Sequence, residues 1–345
     1  MWSALPHRCR RLPPACFAPV MATGIVSRAL SRTGAHALSA ALFGLALATY
    51  LVLLAATALK AACHRDTIRG ELQDPGRLFG HFTLVAASGV LATRSPARIT
   101  ACVLLVIAAL AWTALALAAA GLRRLGTHLV LRQADGTWFL ATVGLQALVL
   151  TLIRIHPGRT VLTGALLLWG TGVLLYAATL ATVLRRLLST LPPAARLAPS
   201  YWVAMGAAAI STLAGTQLLT RSALLPPLAR VPLGGTVLTL WAWATLLIPL
   251  LVAAGIWRHL HHRVPLAYEP ALWCIVFPVG MYATATAELT SAQRIGALTR
   301  PHPLLPSLLP SLLAWAALAA WLAVGLRCLT DRLGPRSRHE APAHR

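Results

Sequence analysis

The feature of this amino-acid sequence that most limits its fold is a succession of apolar runs of about twenty residues, each bounded by arginines. A run of that length crosses about 30 Å of hydrocarbon as one helix. Within the bilayer a helix satisfies its own backbone polar groups, so the runs are expected to be helical throughout. They fall at 15–31, 37–59, 79–93, 99–121, 137–154, 161–184, 201–220, 235–257, 271–290 and 307–328, which makes ten. Composition agrees, since 58% of the 345 residues are hydrophobic and only 11% are charged. A soluble domain needs about a quarter charged residues to coat its surface. The expectation is an all-α integral membrane protein with one membrane domain over 15–330, flanked by short tails at 1–14 and 331–345.

Charge sets orientation and excludes one class of partner. Thirty Lys and Arg against eight acids give a formal charge of +22, which in a soluble chain would point to nucleic acid. Here the arginines mark the ends of spans, so no nucleic-acid role is expected. The N-terminus, the loops after even-numbered runs and the C-terminal tail hold 20 Lys and Arg, and the other face holds 10. By the positive-inside rule both termini are cytoplasmic, in a multi-pass protein of the cell membrane. Fixed cations at both mouths would concentrate anions and repel cations.

The runs alternate in character. Even-numbered ones are nearly uniform Leu, Ala and Val, whereas odd-numbered ones carry hydroxyl, amide and glycine groups. Thr23, Gly24 and Ser27 lie in the first, Ser88 and Gly89 in the third, Thr142 and Gln146 in the fifth. Ser211 and Thr212 lie in the seventh, Gly280 and Thr284 in the ninth. Such groups suit lipid poorly, so the odd helices are expected inside and the even ones outside. The chain then reads as five hairpins in a ring around a central pore lined by these residues. The alternative is a solid bundle in which small residues only permit close packing. Pro19 and Pro278 interrupt odd runs and are expected to kink them. Phe277 stands beside the second kink, either as a gate in the lumen or as an ordinary packed ring.

Groups for enzymatic chemistry are sparse at membrane depth. Of the eight acids only Glu288 falls inside a predicted span, near its end, where it is expected to reach the interface or pair with Arg294. No HExxH, GxSxG or GxxxxGK[ST] occurs, so no catalytic residue and no nucleotide-driven mechanism is expected. His259, His261 and His262 read as a solvated basic loop rather than a metal site, and no cofactor or metal is expected. The six cysteines form no CxxC pair. The basic-then-apolar N-terminus lacks a clear cleavage site and is read as part of the first span rather than a signal peptide.

The strings "CFAPVMATGIVS", "DPGRLFGHFTLVAASGVL", "GTWFLATVGLQ", "YWVAMGAAAISTLAG" and "IPLLVAAGIWRHLHHRVPLAYEPALWCIVFPVGMYATAT" together resemble the tellurite-resistance and C4-dicarboxylate transporter family. That family, within a voltage-dependent anion channel superfamily, includes fungal malate and sulfite transporters and plant slow anion channels. The resemblance covers most of residues 15–330 in order. It implies ten helices around a pore, usually in a homotrimer, passing anions without a nucleotide. It also implies that Phe277 occludes the pore and that Pro278 is the kinking proline. The first-span string departs from the family form at Pro19 and Ala22.

The expected function is passage of small anions: chloride or nitrate, sulfite, a C4-dicarboxylate or tellurite. A second expectation is a non-conducting membrane scaffold whose arginine-rich loops bind anionic lipid or an acidic partner. An intramembrane enzyme is the least supported, for want of acid and base groups at depth.

Overall fold

The computed structural model describes residues 9–122, 131–189, 198–265, 268–294 and 308–333. Among them every regular element is helical. The principal helices are α1 (Ala18–Leu30), α2 (His36–Cys63), α3 (Phe82–Arg94), α4 (Arg98–Leu122), α5 (Phe139–Ile155), α6 (Arg159–Ser189), α7 (Trp202–Leu219), α8 (Pro227–Ile256), α9 (Trp273–Arg294) and α10 (Leu309–Leu333). Eight of these are long and apolar enough to cross a membrane. The other two, α1 and α3, have 13 residues each. At 1.5 Å per residue each is about 20 Å long, shorter than the hydrocarbon. The expected tails at 1–14 and 331–345 fall largely outside the described residues.

Burial separates the helices into two classes. In the most apolar stretches of α5, α7 and α9, 83%, 89% and 78% of residues are buried; in α2, α4, α6, α8 and α10 the share lies between 17% and 28%. Residues such as Ile99, Leu110, Leu174 and Leu326 on the second class are exposed, as a lipid-facing surface requires. The contacts close a ring: α1 packs on α3, α3 on α5, α5 on α7, α7 on α9, and α9 back on α1. Each of these inner helices also packs on the outer helix that follows it. Each outer helix reaches the next inner one, with α10 returning to α1.

Small residues bring the inner helices together. A Cβ on Gly24 of α1 would meet Val90 of α3 at 2.8 Å, and one on Gly89 of α3 would meet Ala147 of α5 at 2.5 Å. Gly206 of α7 lies against the Pro278 ring of α9, and Gly280 of α9 against Ile25 of α1. Four of the five seams of the ring are thus built on a glycine. Lipid is as apolar as leucine, so close packing and polar bonds, rather than exclusion from water, hold such helices together.

One end of the ring carries the short turns that join α1 to α2, α3 to α4, α5 to α6 and α7 to α8. At the other end, 3-10 turns at Phe79–His81, Gly136–Trp138, Pro199–Tyr201 and Pro270–Leu272 lead into α3, α5, α7 and α9. These turns pack one on the next, and the last reaches α1. Gly136 is pressed so closely on the Ser200 backbone that a Cβ would come within 2.3 Å of its carbonyl. Phe79 and Trp138 stack at 4.5 Å across a seam of this collar.

Two expectations change. Pro19 does not kink α1: it occupies the first turn, where the missing N–H has no intrahelical partner to lose, so it starts the helix. Pro278 does lie inside α9, as expected. The eighth helix begins at Pro227 rather than at 235, because a proline at the first helical position is pre-organised and Gly234 and Gly235 are carried within the helix.

Candidate functional site

The axis of the ring is apolar at its centre and charged at the short-turn end. Around the centre, Ile25 and Arg28 of α1, Gly89, Val90 and Thr93 of α3, Ala147 and Leu150 of α5, Ile210 and Leu213 of α7 and Met281 of α9 enclose a cavity of ≈ 10 Å³. That is room for about one water molecule. At 100° per residue, Phe277, Met281, Thr284 and Glu288 form one stripe along α9. The stripe lies between Pro278, which meets α7, and Gly280, which meets α1. Phe277 lies on the same stripe as Met281, one turn away, and is fully buried.

Following the axial stripe of each inner helix toward its C-terminus replaces hydrocarbon by charge. Ile25 is followed by Arg28 and Arg32, Val90 by Arg94, Leu150 by Arg154, and Leu213 by Gln217 and then Arg221. Arg28, Arg94 and Arg154 stay near the helical faces of Ile25, Val90 and Leu150, whereas Arg32 and Arg221 lie just beyond the ends of α1 and α7. On α9 the stripe ends in Glu288, whose carboxylate accepts a hydrogen bond from Arg32 and lies 3.8 Å from Arg28. Arg28 is within electrostatic reach of Arg32, Arg94, Arg154 and Glu288, and Arg221 of Glu288. This is a collar of five arginines and one carboxylate above an apolar constriction.

The collar arginines are held in place mostly by uncharged groups. Arg94 donates to Ser39 Oγ at 3.0 Å and lies over the Phe43 ring. Arg154 donates to the Ser95 carbonyl. Arg221 donates to the Gln217 carbonyl at 2.8 Å and to its Oε1 at 2.7 Å. Among the described residues Arg94, Arg154 and Arg221 form no ion pair with an acid, whereas Arg28 and Arg32 share Glu288. Glu288 was expected to reach the interface or pair with Arg294; its carboxylate meets Arg28 and Arg32, and the Arg294 side chain lies outside the described residues.

Half of the hydroxyl and amide groups expected to line a lumen, Thr23, Ser27, Ser88 and Gln146, turn toward the outer helices. Thr23 accepts from Trp321 Nε1 of α10 at 2.8 Å. Ser27 and Ser39 of α2 exchange hydrogen bonds to each other's carbonyls at 2.7 Å. Ser88 meets Tyr50 Oη of α2 at 2.7 Å. Gln146 Nε2 donates to the Trp169 carbonyl of α6 at 3.2 Å. Ser211, Thr212 and Thr284 donate to carbonyls of their own helices. Thr142 Oγ1, one turn from Gln146, is buried without a partner. The physical reason is that a hydroxyl in an apolar setting needs a partner, and the outer helices supply indole and phenol groups. Tyr50 of α2 and Trp321 of α10 were the sequence signal for this. Among the expected lining residues, Gly89 borders the central cavity, and Gly24 and Gly280 serve the seams.

At the opposite end, a buried charge cluster ties the chain together. Lys60 Nζ reaches Glu71 Oε1 and Oε2 at 2.9 and 2.8 Å and the Leu12 carbonyl at 2.8 Å. His81 and Arg77 lie 3.4 and 3.9 Å from the same carboxylate. Glu71, which lies between predicted spans, sits on a short helix, Arg65–Gln73, clamped to the end of α2. His259 Nδ1 lies 2.8 Å from the Val264 carbonyl, in a π-turn that extends α8.

The sequence profile of the family described as voltage-dependent anion channel matches residues 11–329. Relatives include an uncharacterized membrane protein from two strains of Mycobacterium tuberculosis. In each strain it is 42% identical over 150 residues, which is 43% of this chain and 71% of the relative.

Proposed function

The chain belongs to the voltage-dependent anion channel family, and on that premise we propose that it passes small anions along the axis of its five inner helices. In this reading all ten principal helices cross the cell membrane as five hairpins, α1 and α3 being completed by the turns that precede them. Both termini are cytoplasmic, so the arginine collar faces outward. The anion is drawn to the collar by uncompensated positive charge in a low-dielectric setting, where its field is strongest. It then meets hydrocarbon and backbone, with no fixed charge to hold it, so passage is fast and poorly selective among anions of similar size. Phe277, on the axial stripe below Met281, closes the path until its ring moves aside. The prolyl break at Pro278 frees a carbonyl and loosens the helix at that point.

The observation that carries the reading is the order along the axis. Arginines stand at or just beyond the collar ends of four inner helices, above an apolar constriction. A scaffold without conduction has no use for cations converging on the axis of a ring. The substrate class is chloride or nitrate for a channel, sulfite or a C4-dicarboxylate for a carrier, with tellurite as a further candidate; the assembly is a homotrimer. The test is anion flux into liposomes holding the purified protein, run over a panel of these anions with and without a proton gradient. Flux that ignores the gradient identifies a channel, and flux that follows it a coupled carrier. No flux of any anion removes the proposal in favour of the scaffold.

A further inference from the structure

The collar is unequally composed. Among the described residues, Asp66, Glu71, Asp74, Asp135 and Glu269 follow even-numbered helices and Asp331 lies in the last turn of α10, at the end opposite the collar. Glu288 alone of the described acids stands on the collar side, where the sequence places ten arginines. It is 7% exposed and spends its carboxylate on Arg32 and Arg28. Arg28 in turn borders the central cavity. The carboxylate therefore sits where an anion coming from solution would first meet the axis.

Resting on the anion-path reading above, we infer that Arg28 and Arg32, with Arg94 and Arg154 behind them, form an anion-binding site, and that Glu288 is its tethered competitor. The ligand class is a small monovalent anion or a carboxylate, the same chemistry as the side chain it displaces. Exchange of one for the other keeps Arg28 paired, so the partly buried guanidinium is never left without a counter-charge. The displaced carboxylate has a second cation to turn to, because Arg221, just past the end of α7, already feels its charge. Affinity at the mouth is set by the difference between the free anion and the built-in one. That keeps binding weak enough for release.

The test is thermal melting of the purified full-length chain in detergent, titrated with chloride against gluconate as the large control anion. A ligand that binds the folded state raises the melting temperature by mass action, so the titration reads affinity without requiring conduction. For Glu288→Gln the half-effective chloride concentration is expected to fall by about tenfold relative to the native chain. Adding Arg28→Gln should abolish the chloride effect. Where Glu288→Gln fails to fold, Glu288→Asp shortens the tether and should shift the half-effective concentration in the same direction by less. An unchanged chloride dependence in whichever variant folds overturns the inference and leaves Glu288 a structural counter-charge. A shifted titration with no liposome flux from either protein keeps the site and removes the pathway, whereas flux with an unshifted titration does the reverse.

Discussion

Lys60 Nζ lies 2.8 Å from one oxygen of the Glu71 carboxylate and 2.9 Å from the other, and both side chains are almost wholly buried. Removing one partner of such a pair strands a buried charge, at a cost of about 3–5 kcal/mol. Glu71→Gln should therefore lower the melting temperature of the purified protein sharply. The double variant Lys60→Met with Glu71→Leu should recover most of the loss. Equal losses in the single and double variants would show that the pair, rather than the orphaned charge, matters.

Asp135 caps the turn into α5, accepting from the Thr137 amide at 2.9 Å and the Thr137 hydroxyl at 2.5 Å. Burial pushes its carboxyl above the usual carboxylate range, against the opposing pull of these bonds and of Arg186. A folded value above the unfolded one means that this residue contributes most stability below the unfolded value and loses it as pH rises through the raised one. Asp135→Asn keeps an acceptor for the cap and sheds the cost of burying a charge. The variant should melt no lower than the native chain at neutral pH, and its melting should depend less on pH just above the ordinary carboxylate range. A steeper dependence would contradict the sign.

Trp169 of α6 serves two inner helices at once. Its indole donates to the Ser211 carbonyl of α7 at 2.8 Å, and its own carbonyl accepts from Gln146 of α5 at 3.2 Å. The seam between α5 and α7 is the one not built on a glycine, so this bridge carries more of it. Trp169→Phe should cost about 1 kcal/mol, read as a lower melting temperature. The anion preference in liposome flux should be unaffected, since Trp169 does not border the axial cavity. A changed preference would place Trp169 on the path.

Arg221 is held by Gln217 and Thr220 of its own turn rather than by another helix. Its replacement by Gln therefore tests the charge of the collar with little disturbance of packing. Flux at low ionic strength should fall by about twofold or more, and the difference should fade toward 1 M salt, where the screening length is about 3 Å. A difference that survives high salt would mean a structural role.

Much of the fold was legible because lipid imposes a coarse rule. A helix that faces hydrocarbon must be apolar all round, so α2 and α4 announce themselves by their uniform Leu, Ala and Val, and the arginines mark where they end. The inner class was legible from Gly24, Gly89 and Gly280. Their purpose was not, since a glycine that makes room for Val90, Ala147 or Ile25 reads the same in sequence as one beside water. The direction of Ser27, Ser88 and Gln146 was illegible for a related reason: which face of a helix turns inward is set by its partners. The signal that marks the axis is the stripe of Ile25, Arg28 and Arg32, repeated as Val90 and Arg94 and as Leu150 and Arg154. Pro19 illustrates a local ambiguity, because a proline that starts a helix and one that bends it differ only in where the first turn falls.

The measurement that bears most directly on the axial path is anion current through Phe277→Ala in planar bilayers or liposomes, beside the native chain and at matched protein. The account predicts a clear rise in anion conductance with cations still excluded, because a methyl group leaves the passage below Met281 open. An unchanged current from a variant that melts like the native chain would contradict it and return Phe277 to the status of a packed ring.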